Sequence, residues 1–264
     1  MKIDTGKYDS NFYDKQWRKE SAENIFSLLL KFLPQINSVV DFGCGLGAWL
    51  AVLKNIGINE IKGYDGHWVD KKSLEIPTEC FEAVDLSKDI AVKKRYDMAI
   101  SIEVAEHLPE ASAKIFVHTL TSASDIVLFS AAIPYQGGTN HINEQWQNYW
   151  YDLFREDGYL GIDIRSLMWN NAKIKPWYKQ NIILYVKENK KSEIHLPNEH
   201  TNTQCPNIVH PEFYANKMRQ LAQNIPLRAL YKTAIKRTIK KLLGEIFWKY
   251  LNRHFKASQK QELP

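Results

Sequence analysis

Cysteine is scarce: the 264 residues hold three, Cys44, Cys80 and Cys205, with no Cys-x-x-Cys pair. An odd, scattered set excludes a disulfide framework and a cysteine-ligated zinc site, and fits a reducing cytoplasm. Long hydrophobic runs are missing as well. Stretches such as residues 182–186 end early, far short of the ~18 apolar residues of a membrane span. The first ten residues are polar and charged, unlike a secretory signal. There is no internal repeat or low-complexity segment. With 44% hydrophobic and 25% charged residues, the composition is neither disordered nor collagen-like.

What is present is unevenly charged. Residues 226–264 hold ten Lys/Arg against two acids, Glu245 and Glu262, a net +8. The other 225 residues hold 25 basic and 28 acidic side chains, a net −3. A mildly acidic body carries a strongly basic tail, and the two need separate explanations.

Along the body, helical spacing over residues 21–33 ends at Pro34, and a β-branched run over 38–42 stops at glycines. Residues 48–56 read as helix. Strands are predicted over 58–64, 81–84, 96–102 and 125–133, and a helix from Pro109 to about Leu120, with proline suited to its first position. Residues 144–156 have helical spacing, and 161–166 and 181–187 read as late strands. Strands alternating with helices imply an α/β fold with a largely parallel sheet. The organisation expected is a body over 1–190, a polar connector with a short helix over 191–225, and a tail over 226–264.

The strongest local signal is Asp41-Phe42-Gly43-Cys44-Gly45-Leu46-Gly47 at the end of the first strand. Glycines let the backbone turn sharply and approach a ligand, and the following helix N-terminus offers N–H groups. Asp41 ahead of the glycines can accept from an amino group, whereas it would repel a pyrophosphate. Asp65 ends the second strand, where a carboxylate can take both ribose hydroxyls. Asp85 ends the third and can accept from an adenine amino group. Trp68 offers a stacking face. Each residue alone also reads as a helix cap, a surface turn or core.

Together these motifs resemble the class I S-adenosylmethionine-dependent methyltransferases over residues 11–189. The resemblance implies a Rossmann-like sheet with helices on both faces. It also implies a cofactor site made of Tyr13 (in a lid segment, Phe12-Tyr13 with Gln16-Trp17), Asp41, Gly43, Cys44, Gly45, Gly47, Asp65, Trp68, Asp85, Leu86 and Glu103. The alternative is a nicotinamide-dependent sugar oxidoreductase or epimerase, but no tyrosine has a lysine four residues later.

A narrower likeness lies in Glu103-Val104-Ala105-Glu106-His107-Leu108-Pro109. This Glu-x-x-Glu-His pattern is similar to ubiquinone-pathway O-methyltransferases and plant small-RNA 2′-O-methyltransferases. It implies a divalent cation, Mg²⁺, Mn²⁺ or Zn²⁺, held by Glu103, Glu106, His107 and a later histidine, His141. His141 and His107 are also the candidate catalytic bases. His118, inside a helix, reads as structural. Residues 138–150 and 176–181 resemble bacterial methyltransferases of polysaccharide and glycan pathways, which implies a sugar or small polar acceptor. Trp146, Trp150, Trp169 and Trp177 offer aromatic faces for a sugar ring, or belong to the core. RNA 2′-O-methylation is the other acceptor reading, but the acidic body lacks a basic aromatic stripe, so nucleic acid is not the expected partner.

In the tail, Leu230, Tyr231, Ala234, Ile235, Ile239, Leu242, Leu243, Ile246, Phe247, Tyr250, Leu251 and Phe255 follow one helical face. Lys232, Lys236, Arg237, Lys240, Lys241, Lys249, Arg253 and Lys256 take the other. This basic amphipathic helix leaves open an anionic membrane surface, docking on the body and a homodimer. The expected location is cytoplasmic, with the inner face of the membrane as the peripheral site.

Overall fold

A computed structural model describes residues 16–197 and 205–223, with residues 235, 237, 238, 241 and 244 beyond them. Phe12 and Tyr13 of the expected lid, and most of the tail, lie outside the described residues. Two compact units are distinguished, Met1–Phe213 and Tyr214–Pro264. Among the described residues, no helix is long and apolar enough to cross a membrane.

The first unit starts with α1 (Gln16–Leu29) and then alternates: β1 (Ser38–Phe42), α2 (Ala48–Asn55), β2 (Glu60–Asp65), β3 (Phe81–Ala83), β4 (Met98–Ile102), α3 (Ala113–Ala123) and β5 (Ile126–Ser130). It continues with α4 (Gln147–Glu156), β6 (Tyr159–Ile162), α5 (Arg165–Met168), α6 (Pro176–Asn181) and β7 (Ile183–Lys187). α7 (Pro211–Gln223) starts in this unit and runs into the second. The seven strands form one sheet in the order β3-β2-β1-β4-β5-β7-β6. β1 to β5 are parallel, and β7 runs antiparallel to both β5 and β6. This is the expected Rossmann-like α/β sheet.

Period-2 alternation divides the strand side chains between two cores. Val39, Ile61, Ile100, Leu128 and Leu184 pack with α1 and α2 residues such as Ile25, Phe26, Leu50 and Leu53. Val40, Phe42, Val127, Phe129 and Tyr185 pack on the opposite face with Phe116 and Leu120 of α3 and Trp150 and Phe154 of α4. Phe154 stacks on Tyr185 with ring centroids 3.7 Å apart. Each such fully buried side chain is worth about 1.5–3 kcal/mol of transfer free energy, so both faces of the sheet must stay covered.

Three elements differ from the sequence expectation. Instead of a helix from Pro109, tight 3₁₀ turns at Ala105–His107 and Glu110–Ser112 precede α3. β5 ends at Ser130, because β4 and β7 pair with it only as far as Ser130 and Phe129. β6 ends at Ile162, where Asp163 accepts the Arg165 backbone N–H at 3.1 Å and turns the chain into α5.

The polar composition places the end of the body near 190, but the first compact unit runs to Phe213. The reason is a returning strap. The Arg165 guanidinium, 1% exposed, grips Asp163 at 2.8 and 2.7 Å and donates to the Pro206 carbonyl at 2.9 Å. Gln147 donates to the Ile208 carbonyl at 2.9 Å, and the His210 N–H donates to the Gln180 side chain at 2.9 Å.

Candidate active site

Parallel strands bring their carboxyl ends to one edge, and β1 sits where the crossovers diverge, with β2 on one side and β4 on the other. At that edge β1 delivers Asp41 and then the glycine turn. Gly43 has φ +90°, and a Cβ there would overlap Val104, so the turn can follow this path only with glycine.

Four of the turn's own N–H groups are used within the protein. Gly43 and Cys44 donate to the Tyr64 carbonyl at 2.7 and 3.2 Å, Gly45 to Asp65 Oδ2 at 2.7 Å, and Gly47 to the Cys44 carbonyl at 2.8 Å. The turn is thereby locked to the end of β2. Asp65, 6% exposed, also accepts from the Gly66 N–H at 2.6 Å. Burial pushes its pKa up to about 6, against the pull of these two N–H donors.

Asp41 is 3% exposed and meets no hydrogen-bond donor among the described residues. Burial, and then the Asp65 charge, hold its pKa well above the usual carboxylate range. The same two acids, after burial, push the Cys44 thiol up, so it is not a nucleophile. Two buried carboxylates here would repel a pyrophosphate, and they suit a ligand bearing an ammonium group and hydroxyls.

The other expected cofactor residues are more dispersed. Trp68 is 37% exposed, and its ring lies against Gly66. Leu86 is buried. Asp85 is exposed and caps its own turn, accepting from the Ser87 N–H at 3.1 Å and Ser87 Oγ at 2.6 Å, and these donors lower its pKa.

Beyond β4, Glu106, His107 and His141 come together, with ligand atoms within 4.8 Å of one another. The two imidazoles meet edge to face, with centroids 4.9 Å apart. Glu106 is fully buried, and among the described residues neither carboxylate oxygen has a partner in good hydrogen-bond geometry, although the nearby Glu106 and Ala132 backbone N–H groups pull its pKa down. Burial and then the Glu103 charge raise its pKa well above normal.

Burial, and then the neighbouring His141, lower the His107 pKa to about 4, so its imidazole is neutral at pH 7. His141 Nδ1 lies 2.9 Å from Glu144 Oε1 and its Nε2 lies 4.0 Å from Glu106 Oε1. With the Nδ1 proton given to Glu144, Nε2 keeps its lone pair toward the cluster. A Cβ on Gly138 would overlap His141 Nε2, which explains the glycine.

Glu103 is not brought into this group. It has φ +56°, and its carboxylate is tied down by Gln136 Nε2 at 2.7 Å and Asn181 Nδ2 at 2.9 Å. Burial outweighs these donors and lifts its pKa to about 7. Asn181 also donates to Gln136 Oε1 at 2.9 Å, and Gln180 to Asn181 Oδ1 at 3.0 Å. Sequence reasoning missed Gln136, Asn181 and Glu144. Only Glu144, three residues after His141, carried a local signal.

The expected aromatic pocket is broken up. Trp150 is core, tilted on Phe129 at 5.2 Å, and Trp169 packs on His210 at 4.4 Å. Trp177 meets Trp17 edge-on at 5.3 Å, and Trp146 is 38% exposed.

Solved structures are similar at low identity. The plantazolicin methyltransferase BpumL is 16% identical, with a TM-score of 0.50 over 69% of this chain and 90% of its own. Magnesium protoporphyrin IX methyltransferase (ChlM) of Synechocystis PCC 6803 is 17% identical, with a TM-score of 0.45 over 65% and 80%. DesVI of Streptomyces venezuelae is 16% identical, with a TM-score of 0.42 over 52% of this chain, which spans 62% of DesVI. No curated protein matches the sequence. The model of the methyltransferase domain family matches residues 13–173, more than half of the chain, and the protein belongs to that family.

Proposed function

We propose that this methyltransferase moves the methyl group of S-adenosylmethionine to an oxygen of a sugar, glycan or other small polar acceptor. The observation that carries the cofactor is Asp41, buried at the β1 edge with no donor among the described residues and beside a second buried acid. An ammonium group supplies what Asp41 lacks. Asp65 keeps free lone pairs for ribose hydroxyls beyond its two N–H bonds. Cofactor binding thus relieves two buried carboxylates at once.

Transfer from a sulfonium is a direct displacement: the acceptor oxygen forms its bond to the methyl carbon as the carbon–sulfur bond breaks. The protein's task is alignment and removal of the hydroxyl proton. His141 Nε2 is oriented for that by Glu144, and neutral His107 stands beside it. Glu106, His107 and His141 also fit a divalent cation, since one buried carboxylate and two imidazoles converge. Bound there, a cation would lower the pKa of an acceptor hydroxyl. Glu103 takes no part in that donor set. The sugar class rests on the resemblance of residues 138–150 and 176–181 to glycan-pathway enzymes.

The test is transfer of label from radiolabelled S-adenosylmethionine to nucleotide sugars, phosphorylated sugars and glycan fragments, with and without chelator. Label in a sugar oxygen supports the reading. Calorimetric binding of the donor with label transferred only to RNA would replace the acceptor class, and no binding of donor or demethylated product would remove the whole proposal.

A further inference from the structure

α7 leaves Tyr214, Met218 and Leu221 exposed by 58%, 39% and 51%. Their spacing of four and three residues puts them on one stripe of the helix. Ile235, further on, is 50% exposed. The sequence past Pro226 repeats an apolar spacing at 3 and 4 and adds Phe247, Trp248, Tyr250 and Phe255. Residues 226–264 carry ten basic side chains against two acids.

We propose that the region from α7 to residue 264 is a binding element for an anionic phospholipid surface. Charge selects this occupant. A second copy of the same region, residues 211–264, would bring +9 against +9. The other 210 residues offer only a net −4. An anionic bilayer supplies dense negative charge beside a medium for tyrosine, tryptophan and leucine side chains, and aromatic rings favour that boundary. The inference is independent of the methyl acceptor, and it concerns adsorption on a surface, with no span.

The experiment uses the full chain and sedimentation with vesicles of phosphatidylcholine alone or mixed with phosphatidylglycerol, at low and high salt. Two variants accompany it: Tyr214→Ser/Met218→Ser/Leu221→Ser on the exposed stripe, and Lys232→Glu/Lys236→Glu/Arg237→Glu/Lys240→Glu. Calorimetry with S-adenosylmethionine and a thermal melt show that each variant keeps its body folded. The expected result is capture by the anionic vesicles only, weakened at least tenfold by high salt and by each variant. Equal sedimentation with both vesicle types, or capture that the stripe variant leaves unchanged, overturns the proposal. So does a dimer that the stripe variant dissociates without any vesicle binding, or an RNA oligonucleotide bound where vesicles are not.

Discussion

The charge of Asp65 reaches Asp41: after burial, the second carboxylate raises the pKa of the first further. Neither strand end relieves it, since the Gly45 and Gly66 N–H groups both go to Asp65. An acid left in that state is costly to the empty protein, and on the proposed reading the donor's ammonium group relieves it.

Replacing Asp41 with asparagine therefore separates two properties. The variant should melt no lower than the parent, because a buried unpaired acid has gone. Its affinity for S-adenosylmethionine should fall roughly 10- to 100-fold, the worth of a hydrogen bond to a charged group at about 1.5–3 kcal/mol. Unchanged calorimetric affinity would remove Asp41 from the cofactor site.

Asp65 gives a pH signature. Its folded pKa of about 6 exceeds the 3.8 of an unperturbed aspartate. Between those values the folded state binds the extra proton, so this residue's contribution makes the cofactor-free protein lose stability as pH rises from about 4 to 6. Affinity for the cofactor should move the other way, falling below pH 6 as the acceptor oxygens are protonated. Melting curves and calorimetry across that range, with Asp65→Asn as control, check both slopes; parallel slopes in parent and variant would assign the titration elsewhere.

The Glu106 cluster predicts its response to metal. Mn²⁺ or Zn²⁺ should raise the melting temperature, by mass action on the folded state, and Glu106→Gln should cancel the rise. In the absence of metal, Glu106→Gln should change the melting temperature little, because burial already favours the uncharged form of this carboxyl. His141→Ala should cut turnover far more than cofactor affinity. A metal-independent melt together with normal His141→Ala turnover would reduce the cluster to packing.

Arg165 is held almost wholly by Asp163 and carbonyl oxygens. Asp163→Ala should cost about 3 kcal/mol or more by stranding a buried guanidinium, measurable in urea denaturation. Asp163→Glu should recover part of the loss. An alanine variant of unchanged stability would mean that the Pro206 and Gln180 carbonyls suffice.

The carboxyl ends of β1, β2 and β3 were legible because those runs stop at glycine or aspartate, and the sheet places the stops on one edge, whereas the ends of β5 and β6 carried no such stop. The Glu106, His107 and His141 grouping was legible as a short motif plus one distant histidine. The destination of Glu103 was not. Gln136 and Asn181, which hold it, lie 45 residues apart; Gln136 carries no motif signal, and the segment 176–181 that contains Asn181 gave no hint of a carboxylate partner. The strap was equally hidden, because a polar stretch that turns its Pro206 and Ile208 carbonyls to Arg165 and Gln147 has the composition of a linker.

That strap also sets an order of events during synthesis. Arg165 and Pro206 are 41 residues apart. At about 5–20 residues per second, the ribosome delivers the second roughly 2–8 s after the first. Until then the guanidinium has only part of its final partners, although β6 and β7, which end at Lys187, have already been made. The nascent chain passes through an interval in which all seven strands have been delivered but the buried guanidinium still lacks the carbonyl that completes its partners.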